Sequence, residues 1–211
     1  MDVRDLEALR KAVEHDLSPE SMRFPGGWPN SIELALLDAV LSINAKYGNS
    51  PNTGVRKRVA EYKASVGGSS WDQLARLAGL SEEELLPITG RQMTGGQSKA
   101  AAIIEAAGRL VGAGVTRSDD FRVDSPVQQE AYTGVKGLGP VTWTYLGMLL
   151  GHSGVKADRM ICRYVSDAVG HDVDPSDAAV LVTEVAAPLG KSASELDHAI
   201  WTFQRRRKGE K

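Results

Sequence analysis

Cysteine is almost missing from this chain. Cys162 is the one thiol among 211 residues, so an intramolecular disulfide is excluded. Its histidines, His15, His152, His171 and His198, show no metal-ligand spacing with Cys162 or with carboxylates. No apolar run reaches the roughly 20 residues that a membrane-spanning helix needs, and the opening MDVRDLEALR does not resemble a signal peptide. There is no internal repeat and no low-complexity tract. A surplus of positive charge is missing too: the net charge is −2, and no global field announces a polyanionic partner. What remains is an ordinary globular composition and the expectation of a soluble, cytoplasmic monomer without a membrane partner.

The length suits one domain or two small ones. Periodicity is helical nearly everywhere, and strand signals are nearly absent. Between Gly96 and Gly112, residues Ile103, Ile104, Ala107, Leu110 and Val111 form one apolar stripe on an otherwise polar helix. Similar stripes lie near 3–14, 31–46, 53–65, 71–79, 82–87, 125–133, 140–150, 158–169, 176–187 and 192–206. This spacing predicts an all-α protein of about ten or eleven helices. Ser70-x-x-Gln73, Ser81-x-x-Glu84, Ser125-Pro-x-Gln128 and Ser192-x-x-Glu195 fit the capping box, and Asp174-Pro175 reads as a cap followed by Pro at the first helical position. The long irregular segment Leu17 to Asn30, rich in Pro and Gly, is the best candidate linker. Basic clusters at Arg56-Lys57-Arg58 and Arg205-Arg206-Arg207-Lys208 read equally well as solvated faces.

The most informative stretch is Tyr132 to Tyr164. Its first half reads as helix, tight Gly137-Leu138-Gly139 turn, helix, with Pro140 where a new helix can start without its N–H. The two glycines are free to take positive φ, and such a turn leaves backbone amides outward, a seat for an anion such as a nucleic-acid phosphate. The second half ends on a carboxylate. Asp158 follows a Gly151-His152-Ser153-Gly154 break and opens the stripe Met160, Ile161, Tyr164, Val165, Ala168, which places it at a helix N-terminus.

Val135-Lys136-Gly137-Leu138-Gly139-Pro140 together with Ala157-Asp158-Arg159-Met160-Ile161-Cys162-Arg163 resembles the signature of the helix-hairpin-helix DNA glycosylases of base-excision repair, the group that includes endonuclease III and the 3-methyladenine glycosylases. The family usually shows a Pro-Gly-apolar-Gly hairpin and then Val-Asp-Thr-His-apolar-x-Arg, so Lys136, Ala157, Arg159 and Met160 are departures, while the Asp and the Arg five residues on are kept. The resemblance extends over most of residues 31 to 206. Leu36 to Asn44 looks like the family's early helix, Gly96-Gln97-Ser98-Lys99-Ala100 its Lys-Ala helix start, and Glu195 to Trp201 its closing helix.

The resemblance implies a bilobal fold. Residues 31–155 would form a helical barrel carrying the hairpin, residues 1–30 plus 156–211 a second helical domain, and the active cleft would lie between them. It implies a nucleoid-associated enzyme acting on double-stranded DNA, with Asp158 catalytic and Lys136, Gly137, Leu138, Gly139, Thr142, Asn44 and Lys99 contacting DNA. In family members that also cut the strand, a Lys in the helix after the hairpin attacks C1′, and Val141 holds that position here. Base release by water, without lyase activity, is the consequence. No metal or cofactor is needed, although hairpins of this type can hold a monovalent cation on their carbonyls. The iron–sulfur cluster of the endonuclease III branch requires four Cys and is excluded.

Other readings stay open at this level. An Asp at a helix N-terminus is often only a cap, Asn44 suits a helix C-terminus, and Cys162 suits a small buried hydrophobe. Trp143, Tyr145, Trp28 and Tyr47 fit a base-stacking platform or a core. A non-catalytic DNA-binding protein that keeps the hairpin is the main alternative, and a protein-interaction module the third.

Overall fold

Residues 2–45 and 53–209 are those the computed structural model of the protein describes; Tyr47 lies outside them. They hold eleven α-helices and one two-stranded sheet. The chain divides into two compact units, one of residues 27–152 and one of residues 1–26 with 153–211. The larger unit thus begins at Gly27, a few residues earlier than the linker reading suggests. A Cβ on Gly27 would stand 2.2 Å from the Leu149 carbonyl oxygen, and the next amide, of Trp28, donates to that oxygen at 2.5 Å.

The larger unit is built round α2 (Ile32–Leu41), in which every residue is buried. A helix without a solvent face has no polar side to mark its end, so the stripe read to residue 46 overshoots. Its two buried acids are matched by donors. Glu33 accepts the Tyr62 hydroxyl at 2.5 Å and the Gln73 amide at 2.9 Å, with Arg76 at 3.6 Å. Asp38 accepts Trp28 Nε1 at 3.1 Å and the Tyr145 hydroxyl at 3.4 Å. Around α2 stand α3 (Gly54–Val66), α4 (Leu74–Ala78), α5 (Glu82–Thr89), α6 (Lys99–Gly112), α7 (Pro126–Thr133) and α8 (Pro140–Leu149). The α6 helix packs on α2, α4, α5 and α7, and α8 packs on α2 and α7.

The smaller unit contains α1 (Val3–Asp16), α9 (Arg159–Val169), α10 (Pro175–Ala186) and α11 (Ala193–Gly209), with α9 packed on the other three. Its core joins Leu9 and Val13 of α1 to Ile161, Tyr164 and Val165 of α9 and to Leu196 and Ile200 of α11. Each such apolar side chain contributes roughly 1.5–3 kcal/mol on full burial.

Most helix starts are local. Ser81 and Glu84 form the reciprocal box, as do Ser192 and Glu195, and Asp174 accepts the Ser176 and Asp177 amides. Two differ. Ser125 caps Gln128, but the Gln128 side chain turns to Arg122 and Asp120 instead. Ser70-x-x-Gln73 forms no box: α4 starts only at Leu74, because the intervening residues serve the head of α2. There Asp72 accepts the Ile32 amide at 3.0 Å and the Ser118 amide at 2.8 Å, while Gln73 donates to Glu33. No helix among the described residues is long and apolar enough to cross a membrane.

Candidate functional site

The helix-turn-helix of α7 and α8 forms where the sequence predicts it. Val135 and Leu138 are buried and plug the turn, the Leu138 amide donates to Val135 O, and Gly137 takes φ +85°. The Leu138 side chain therefore anchors the hairpin in the core. The Gly139 expectation needs correction. Its φ is −143°, an extended conformation open to any residue, and a Cβ there would meet nothing within 4 Å. No contact among the described residues demands glycine at 139. Thr142 closes the turn: its hydroxyl accepts the Gly139 amide at 3.0 Å and donates to Gly139 O at 2.8 Å, so it shapes the hairpin. The amides of Lys136, Gly137 and Val141 donate to no group among the described residues, and the Lys136 side chain is exposed. Of the hairpin carbonyls, Val135 O accepts Leu138 N, Lys136 O accepts Gln97 Nε2 and Gly137 O accepts Thr94 Oγ1.

Those last two donors belong to an element that the sequence reading missed. Strands β1 (Met93–Thr94) and β2 (Gln97–Ser98) pair antiparallel around Gly95-Gly96, both at positive φ. A Gly-Gly dipeptide between short segments is a known signal for a two-residue hairpin, but at two residues per strand it was hidden by the helical stripe behind it. Ser98 then caps α6 by accepting the Ala101 amide at 2.9 Å.

Lys99 does not face a phosphate. It is 2% exposed, and its ammonium donates to Leu41 O at 2.9 Å, Ile43 O at 2.6 Å and Gln92 Oε1 at 3.0 Å. These carbonyls lie at the end of α2, where helical carbonyls lack partners and a cation is favoured. The same contacts hold the loop of Asn44, which sits at φ +50° beside a groove of about 630 Å³ shared with Lys57 and Arg58. Of the aromatic candidates, Trp143 is a core residue that donates Nε1 to Val123 O and packs on Phe121, while Trp28 and Tyr145 support Asp38.

In the smaller unit, Asp158 is the N-cap of α9. Its Oδ1 accepts the Met160 amide at 2.7 Å and the Ile161 amide at 3.4 Å, and the residue is half-buried. Burial, and then the Asp158 charge one turn away, push the Cys162 thiol up, the reverse of what a nucleophilic thiol needs. Among the described residues no cluster of three or more His, Cys, Asp or Glu is arranged to hold a metal ion.

The all-α architecture matches that of known DNA-glycosylase structures. MBOgg1 in complex with a low-affinity DNA ligand superposes with a TM-score of 0.63 at 13% identity, covering 96% of this chain and 67% of that one. A trapped endonuclease III–DNA covalent intermediate with an estranged adenine gives 0.57 at 15% identity, covering 95% and 85%. At these identities the likeness establishes the fold. The chain itself belongs to DUF8548, a domain of unknown function, whose family model matches residues 7–205. No curated protein matches.

Proposed function

We propose that the protein is a monofunctional DNA glycosylase that hydrolyses the N-glycosidic bond of a damaged or modified base in duplex DNA. The observation that carries this reading is Asp158. The head of α9 fixes its carboxylate through Oδ1, while Oδ2 is bonded by nothing among the described residues. Such a group suits a bond whose rupture leaves positive charge on the sugar, because a fixed anion near C1′ stabilises the oxocarbenium ion. Water supplies the hydroxyl that C1′ gains, and the departing base takes the proton. Val141, lacking an amine, cannot replace the water.

The hairpin supports the reading independently. Bending duplex DNA and extruding a nucleotide require phosphate anchors more than base-edge contacts. The Lys136, Gly137 and Val141 amides, the Lys136 side chain and the open space over Gly139 offer one. The two solved structures that this chain resembles are both complexes with DNA.

The test is a panel of lesion-containing duplexes, incubated with the protein and treated with alkali to reveal abasic sites, alongside a gel shift. Release of at least one base, lost on Asp158→Asn, is the expected result. Binding without release from any duplex would assign a non-catalytic DNA-binding role, and no binding at low salt would remove DNA from the account.

A further inference from the structure

Asp197, on α11, is a carboxyl group that the reaction above leaves without a role. It is 6% exposed, and its Oδ1 is buried with no hydrogen-bond partner among the described residues. The carboxyl group accepts the backbone amide of Lys156, and the Lys156 carbonyl accepts the Asp158 amide at 2.5 Å. One turn earlier on α11, the buried Ser194 hydroxyl accepts the Gly154 amide at 3.0 Å and donates to the Gly154 carbonyl at 3.1 Å. Two side chains of α11 thus grip the short segment that leads into α9.

We infer that Asp197 is a positioning residue. With Ser194 it clamps Gly154–Lys156 and so sets where Asp158 stands, and it does this as a neutral acid that adds no second negative charge beside Asp158. An orphaned carboxylate oxygen at this depth is costly when charged and much less so when protonated. The charged groups acting on Asp197 are Asp158 and Lys156; burial first and the Asp158 charge second push its carboxyl group well above the usual range, outweighing Lys156.

The catalytic consequence rests on the glycosylase reading; the clamp does not, and the test separates them. Asp197→Asn keeps a neutral acceptor for the Lys156 amide, whereas Asp197→Ala removes it. In hydrogen exchange, the Lys156 amide should stay protected in the parent and in the Asn variant and exchange roughly tenfold or more faster in the Ala variant. Carbon NMR of the Asp197 carboxyl group should report the protonated form at neutral pH. Base release should persist near the parental rate in the Asn variant and fall on the order of 10- to 100-fold in the Ala variant, with duplex affinity unchanged. An ionised Asp197 at neutral pH, an Asn variant as slow as the Ala variant, or parental exchange and rate in the Ala variant would each overturn the inference. If the parent released no base while exchange and NMR behaved as described, the clamp would stand and the glycosylase reading would fall.

Discussion

Gly95 and Gly137 are packed backbone to backbone. A Cβ built on either would lie 2.4 Å from the other's amide nitrogen, and Thr94 Oγ1 donates to Gly137 O at 3.0 Å across the same contact. The β1–β2 turn is therefore a strut under the α7–α8 hairpin, and Lys99, the residue directly after β2, ties the same region to the loop of Asn44.

This contact separates a structural glycine from one that faces outward. Gly137→Ala or Gly95→Ala should cost about 2–4 kcal/mol, from left-handed backbone strain and overpacking together, and lower the melting temperature. Gly139→Val should leave melting nearly unchanged, since its φ suits any residue and its Cβ would meet nothing. It should weaken binding to every duplex by roughly tenfold, about 1.4 kcal/mol. Equal losses of stability at Gly139 and Gly137 would contradict this division.

Lys99 and Lys136 should behave oppositely in salt. If Lys136 contacts phosphate as proposed, Lys136→Ala should reduce the slope of log affinity against log salt by about one. Lys99→Met should leave that slope alone and cost about 2–4 kcal/mol in denaturant unfolding, because two backbone carbonyls and the Gln92 side chain lose their donor.

Asp158→Asn separates charge from capping. Asn caps a helix about as well as Asp, so unfolding should shift by under about 0.5 kcal/mol, while base release falls on the order of 100- to 1,000-fold. Single-turnover rates on a cleaved duplex, with affinity measured alongside, decide it. An undiminished rate would reduce Asp158 to a cap.

Borohydride added during turnover should trap no protein–DNA adduct, and strand breaks should appear only after alkali. Lys156 is the amine to watch, but it acts electrostatically on Asp197 rather than occupying the Val141 position. An adduct that disappears in Lys156→Ala would end the monofunctional assignment.

Asp197 also makes a stability prediction. Its folded-state acidity is weakened relative to an unfolded carboxyl group, so above about pH 4 the native state holds a proton that the unfolded chain has released. Stability then falls as pH rises from the ordinary carboxylate range toward the raised folded value. Asp197→Asn removes this dependence. Thermal melts should show the variant gaining on the parent between pH 4 and pH 8, and a constant difference across that window would refute a buried neutral acid.

The sequence by itself determined the helices, most of their caps, the α7–α8 turn and the place of Asp158 at the head of α9. All of these depend on residues within a turn or two of each other, where spacing, Gly and Pro act directly on the backbone. The tertiary structure alone decided what Lys99, Gly137, Gly139 and Asp197 do. Lys99 reads as a surface cation until the α2 carbonyls, more than 50 residues away, surround its ammonium. Gly137 needs to be glycine because Gly95 lies against it, and Gly139 does not. The Ser70–Gln73 box was lost to the head of α2, some 40 residues distant. Burial and partner identity arise only when distant segments meet, and those two quantities, rather than residue type, determine whether a charge anchors a loop, holds a proton or faces solvent.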